Sequence, residues 1–149
     1  MGLSGAQGQQ GEDTAPCRAS RAMVELVVEM WRLDQLVERT LPRMDRSDAD
    51  RFKSQYGWFQ RVAQEALQEL GLDVVDLTGK PYDVGMAATP FNLEDFPYAL
   101  HGNLVVSQMV DPIVMERGTV RKPGTMMLDV DPEAASDYIG EDPWDITLE

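Results

Sequence analysis

The chain has 149 residues, with 13 Lys and Arg against 26 Asp and Glu, a net charge of −13 and 43% hydrophobic residues; this supports one modest core and is too little for two ordinary domains. Such a surplus of negative charge repels phosphate backbones and anionic lipid, so neither nucleic acid nor a membrane is an expected partner. With one cysteine, Cys17, and one histidine, His101, the chain cannot form an internal disulfide or the usual structural zinc site, and no metal or cofactor is expected.

Residues 1–19 contain Gly2, Gly5, Gly8, Gly11 and three glutamines with few apolar side chains, a composition that cannot offset its ordering entropy, so a disordered tail is expected there. This segment lacks the basic start and apolar stretch of a secretory signal. No run in the chain approaches the roughly 18 apolar residues of a membrane helix. The expected location is therefore cytoplasmic. Ala6 stands where an N-myristoylation signal needs Ser or Thr, which argues against lipidation.

A helical region is expected over residues 20–71. Met23, Val27, Met30, Leu33 or Asp34, Val37 and Leu41 recur at helical spacing from Ser20 to Leu41, and Pro42 is a natural stop. Val24, Val28 and Trp31 add a second apolar face, so this helix is expected to be covered on two sides, either at the centre of a small bundle or by self-association. Met23, Val27, Met30, Trp31 and Val37 are its candidate packing or dimer residues. Ser47-Asp48-Ala49-Asp50 predicts a second helix with Ser47 as N-cap. Phe52, Tyr56, Phe59, Ala63, Ala66 or Leu67, and Leu70 form its stripe, and Gly71 supplies the left-handed stop. Tyr56, Trp58 and Phe59 read as helix-packing material rather than a ligand cage.

After Gly71 the period changes, and residues 72–130 predict a small β domain. Leu72, Val74, Val75 and Leu77 form a short strand ended by Thr78-Gly79-Lys80-Pro81. Asn92 to Pro97 reads as a loop and His101, beside Gly102, as a turn residue. Leu104 to Met109, Ile113 to Met115 and Thr125 to Val130 are β-prone runs divided by Asp111-Pro112, Arg117-Gly118 and Lys122-Pro123-Gly124. Of Met126 and Met127, at least one must point inward, because neighbouring strand residues face opposite sides. Helices and strands do not alternate, so the fold class expected is α+β: two or so antiparallel helices, then a small, mainly antiparallel β domain, with disordered N- and C-terminal tails.

Residues 131–149 form an acidic tail. Eight acids lie between Asp129 and Glu149 with no Lys or Arg, while Tyr138, Trp144 and Ile146 stand out as apolar residues that could dock on a partner or fold back. Asp129, Asp131 and Glu133 imitate the start of a calcium loop. Ala134 stands where the sixth loop position needs Gly, and Gly140 where the twelfth needs Glu.

No glycine-rich phosphate loop is present, and one histidine leaves few options for a nucleophilic triad, so the chain reads as a non-catalytic module rather than an enzyme. A small-molecule-binding domain or minor enzyme is the remaining alternative, and it would require a deep pocket with converging titratable groups.

The order helix, helix, Leu70-Gly71-Leu72-Asp73, Gly79-Lys80-Pro81-Tyr82-Asp83 and then Gly118-Thr-Val-Arg-Lys-Pro-Gly-Thr-Met-Met-Leu128 resembles GrpE, the nucleotide exchange factor of DnaK-type chaperones. The family typically reads G-E-P-F-D-P and later G-R-V-L-R-P-A-x-V-x-V. Here Tyr82 replaces Phe, Lys122 stands at the usual arginine and Gly124 at the usual alanine. The Gly-Tyr pair usual after the position of Pro112 is Ile113-Val114. The family's long N-terminal dimerisation helix has no counterpart in residues 1–19, so any homodimer would rest on the two helices that remain. The resemblance implies a chaperone partner of the stress response: a β wing docks on an actin-like ATPase domain and favours its open cleft, so ADP leaves faster. It also implies a contact region around Met86, Met115, Arg117, Arg121 and Lys122. The alternative is an acidic adaptor of the same fold without exchange activity.

Overall fold

The computed structural model describes residues 18–134. The first helix, α1 (Arg21–Thr40), starts where the Ser20 hydroxyl accepts the Met23 N–H at 3.2 Å, satisfying one of the unpaired donors of the first turn. It ends in a 3₁₀ turn, Leu41–Arg43, that contains Pro42. Asp45 takes the N-cap position of helix α2 (Arg46–Leu70), two residues earlier than the expected Ser47, without a side-chain bond to a backbone N–H of the first turn. Ser47 already lies inside the helix, and its hydroxyl donates to the Asp45 carboxylate at 2.9 Å instead of capping a backbone N–H. Gly71 closes α2 at φ +68°, its N–H turned back to the Gln68 carbonyl. The two helices run antiparallel: Asp34 of α1 meets Tyr56 and Gln60 of α2.

Among the described residues six strands follow and make two three-stranded sheets. In the first, β1 (Leu72–Val75) and β5 (Thr119–Lys122) flank β4 (Ile113–Glu116), both antiparallel to it. Arg117 and Gly118, both at positive φ, form the two-residue turn between β4 and β5; such a turn matches the natural strand twist. In the second sheet, β6 (Gly124–Val130) lies between β3 (Leu104–Asp111), antiparallel, and β2 (Ala88–Pro90), parallel. Gly79 to Tyr82 extends this sheet beyond β3, with the Gly79 N–H on the Val106 carbonyl and the Tyr82 N–H on the Leu104 carbonyl. The α+β architecture, helices first and mainly antiparallel sheets second, is the one the sequence predicts. Strands β2 and β5 were not anticipated, since both are short and largely polar or exposed.

Two apolar clusters hold these layers. Ala19, Val24, Val27, Val28, Leu72 and Val114 seat α1 on the first sheet. Ala88, Leu104, Val106, Met109, Ile113, Met126 and Leu128 fill the second sheet and its junction with the first. Met126 is the inward methionine of its pair, fully buried, while Met127 is half-buried. The chain leaves the second sheet at Asp111-Pro112 and returns to it at Pro123-Gly124. A Cβ on Gly124 would lie 2.8 Å from the Asp111 carbonyl oxygen and 2.9 Å from the Met109 methyl carbon. The alanine that the GrpE pattern carries at this position would therefore press on backbone here. Gly124→Ala is expected to destabilise the fold by about 1–3 kcal/mol, the usual cost of overpacking, measured as a lower midpoint in urea unfolding at unchanged slope.

Candidate functional site

The five residues implied as a partner contact are distributed unevenly. Met115, Arg117, Arg121 and Lys122 share the β4–β5 hairpin, whereas Met86 comes from the loop before β2. Met86 and Met115 are half-buried, both packed against the larger apolar cluster. Arg117 lies across Gly71, where an added Cβ would stand 2.7 Å from its Nε.

Arg121 serves the fold itself. One guanidinium nitrogen pairs with the Glu116 carboxylate at 2.5 Å, and the other donates to the Ala19 carbonyl at 2.8 Å. The Ala19 N–H returns to the same carboxylate at 3.2 Å. With side-chain exposures of 13% and 11%, Arg121 and Glu116 form a charged clasp fastening the start of α1 to the hairpin. Lys122 sits 3.9 Å from Glu25 on α1, so its charge is also turned toward its own chain. The sequence shows three bases in a row of six; it does not show that two already have acidic neighbours.

Of the candidate helix-packing residues, Val27 and Val37 are buried, Met30 and Trp31 half-buried and Met23 exposed. Helix α1 presents three faces. Val24 and Val28 belong to the cluster on the first sheet, and Asp34 faces α2. Leu26, Leu33 and Leu36 remain exposed on the third. On α2, Phe52, Phe59 and Val62 are exposed at spacings of seven and three, and helical geometry places this stripe beside Leu26 and Leu33, away from the sheets. Of these leucines Leu33 stands in the apolar period read from the sequence, whereas Leu26 and Leu36 were missed, although the unusually wide apolar arc of α1 was the signal for them. The aromatic residues divide: Phe52, Tyr56 and Phe59 stack in series at centroid distances of 5.7 Å, while Trp58 is 61% exposed.

The described residues include no group of three or more His, Cys, Asp or Glu placed to hold a metal. A cleft of about 580 Å³ runs between α1 and the end of β3, with Trp31, Gln35, Arg39, Asp76 and Gln108 on its walls. Beside it Arg32 bridges to Asp111 at 2.5 Å, and this hydrogen bond, with the carboxylate charge, holds the guanidinium above its usual pKa. His101 lies in the 3₁₀ segment Tyr98–Asn103, with its Nε2 3.1 Å from the Phe96 carbonyl oxygen. Tyr138, Trp144 and Ile146 lie outside the described residues, as do most of both expected tails. Among the described residues no helix is long and apolar enough to cross a membrane.

Comparison with known proteins returns no match to a family model, a curated protein or a solved structure.

The link between the helices is titratable. Burial, then the hydrogen bond to Asp34, raises the Tyr56 hydroxyl above the usual phenol pKa. A raised folded-state pKa means that the unfolded chain loses the proton first. This contribution is intact below about pH 10 and is lost as pH rises toward the folded value. Stability is expected to fall on the alkaline side of pH 10. In Tyr56→Phe, urea unfolding between pH 9 and about 11 should show a shallower fall than in the parent chain.

Proposed function

We propose that this protein is a GrpE-like nucleotide exchange factor acting on a DnaK-type ATPase in the cytoplasm, without catalytic groups of its own. The observation that carries the reading is the meeting of the two glycine-led segments on one strand. Gly79 and Tyr82 bond to one edge of β3, and β6, from the second segment, occupies the other edge. Residues 79–82 and 124–128, far apart in sequence and both within the resemblance, thus belong to one sheet, while Thr119–Lys122 of the second segment lies in the other.

Exchange by such a wing requires only unequal affinity. A surface that binds the open ATPase cleft more tightly than the closed one shifts the population toward release, by no more than that difference in affinity. Release of a fluorescent ADP analogue from a DnaK-type ATPase domain is expected to accelerate about tenfold with the full chain, within the usual range of coupling between sites. Binding without acceleration would favour the adaptor reading, and no interaction would reject the proposed partner.

The outer face of the hairpin supplies the surface for a second copy. A two-fold, antiparallel apposition of α2 about Phe59 sets Phe52 against Ala66 and brings Arg51 toward Glu65 and Glu69 of the other copy, so both the apolar and the charged patterns are self-complementary. Leu33→Asp combined with Phe59→Asp is expected to halve the sedimenting mass. A parent chain that sediments as a monomer at all concentrations would overturn the dimer.

A further inference from the structure

We propose that the loops on the far side of β3 form a docking cleft for a basic protein segment, one that inserts a Lys or Arg side chain beside Tyr98. The proposal goes beyond the exchange reading and does not depend on the identity of the ATPase. The cleft, of about 450 Å³, is lined by Tyr82, Asp83, Val84, Leu93, Tyr98 and His101. Tyr98 and Val84, at 88% and 87% exposure, are the most exposed large apolar side chains among the described residues. Large apolar groups held in water next to a concavity mark an interaction site more often than a random surface does.

The walls are fixed before any ligand arrives. The Asp83 carboxylate accepts the Gly85 N–H at 2.8 Å, and its carbonyl accepts the Met86 N–H at 3.1 Å. Asn92 exchanges two hydrogen bonds with the Leu128 backbone, at 2.8 and 2.9 Å, anchoring the chain just before Leu93. The His101 ring, bonded to the Phe96 carbonyl, lies 5.3 Å from the Tyr98 ring and tilted to it. A site built this way costs a ligand little loop-ordering entropy.

Charge selects the occupant. From Pro81 to Glu116 the chain contains no Lys or Arg, and Asp83, Glu94 and Asp95 have no cationic partner among the described residues. A long cationic side chain matches both halves of this surface. Its methylene stem covers Val84 and Leu93, and its charged head lies against the Tyr98 ring and the Asp83 carboxylate. An acidic segment would meet the uncompensated Asp83 carboxylate on the cleft wall, with Glu94 and Asp95 following Leu93 in the chain. A purely apolar one would leave those charges without any new partner.

The test uses the full ¹⁵N-labelled chain, titrated with the capped peptide acetyl-Leu-Arg-Leu-Lys-Gly-amide and with its counterpart carrying Glu for Arg and Lys. A site-resolved readout is needed because the acidic C-terminal segment will attract any cation. Saturable amide shifts are expected at Gly85, His101 and Gly102 with the basic peptide only. The dissociation constant should rise about fivefold in Tyr98→Ala and in Asp83→Asn, the scale of one cation–aromatic or charged contact. Asn retains the oxygen that accepts the Gly85 N–H, and Tyr98 is exposed, so both variants keep the fold. Shifts confined to residues 129–149, shifts unchanged in both variants, equal response to the glutamate peptide, or no shifts at all would each overturn the proposal.

Discussion

Everything in the β region depends on a double crossing between the two sheets. The chain passes from the second sheet to the first through Asp111-Pro112 and returns through Pro123-Gly124, and the two passages touch: Asp111 pairs with Thr125, and its carbonyl oxygen lies only 2.8 Å from where a Gly124 Cβ would be. Proline lacks the N–H needed to continue a ladder, so it suits a place where a strand must leave its sheet. Pro112 is fully buried there, and register shifts in both β3 and β4 flank the crossing. Arg32 reaches the same corner from α1 by its bond to Asp111, so the helical layer is tied to the point where the sheets exchange strands.

The second tie between layers is the Arg121–Glu116 clasp on Ala19. Both charges are largely removed from water, and their mutual bond alone would not repay that cost. The backbone N–H and C=O of Ala19 complete the set, giving the carboxylate two donors and the guanidinium two acceptors. Specificity of placement is the gain. Only one position of the chain before α1 satisfies all four groups, and the helix is thereby set against the hairpin in one register.

Helix ends were legible in the sequence because each has a local chemical cause: the Ser20 hydroxyl, Pro42 and Gly71. The start of α2 was less so, because Asp45 and Ser47 are both good caps two residues apart, and only the folded chain shows Ser47 giving its proton to Asp45. Longer strands were legible from their apolar runs. Thr119 to Lys122 and Ala88 to Pro90 carry no such run and become strands through their neighbours alone, β4 in one case and β6 in the other. The same reason limits what the sequence says about a contact surface. Arg121 looks like any exposed base until Glu116, five residues away across a tight turn, comes round to meet it.

The double crossing also orders the assembly of the molecule in time. Strands β4 and β5 are joined by two residues and can zip together as soon as the Arg117-Gly118 turn forms, whereas β2 and β6 must be brought together across the whole stretch from residue 88 to residue 124. Short loops close at the smallest entropic cost and long ones wait for other contacts to shorten them. The β4–β5 hairpin acts as that shortening: once formed, it brings the end of β3 beside the start of β6. The parallel pairing of β2 with β6, the lone one among the described residues, is then the last to close, on a frame already built.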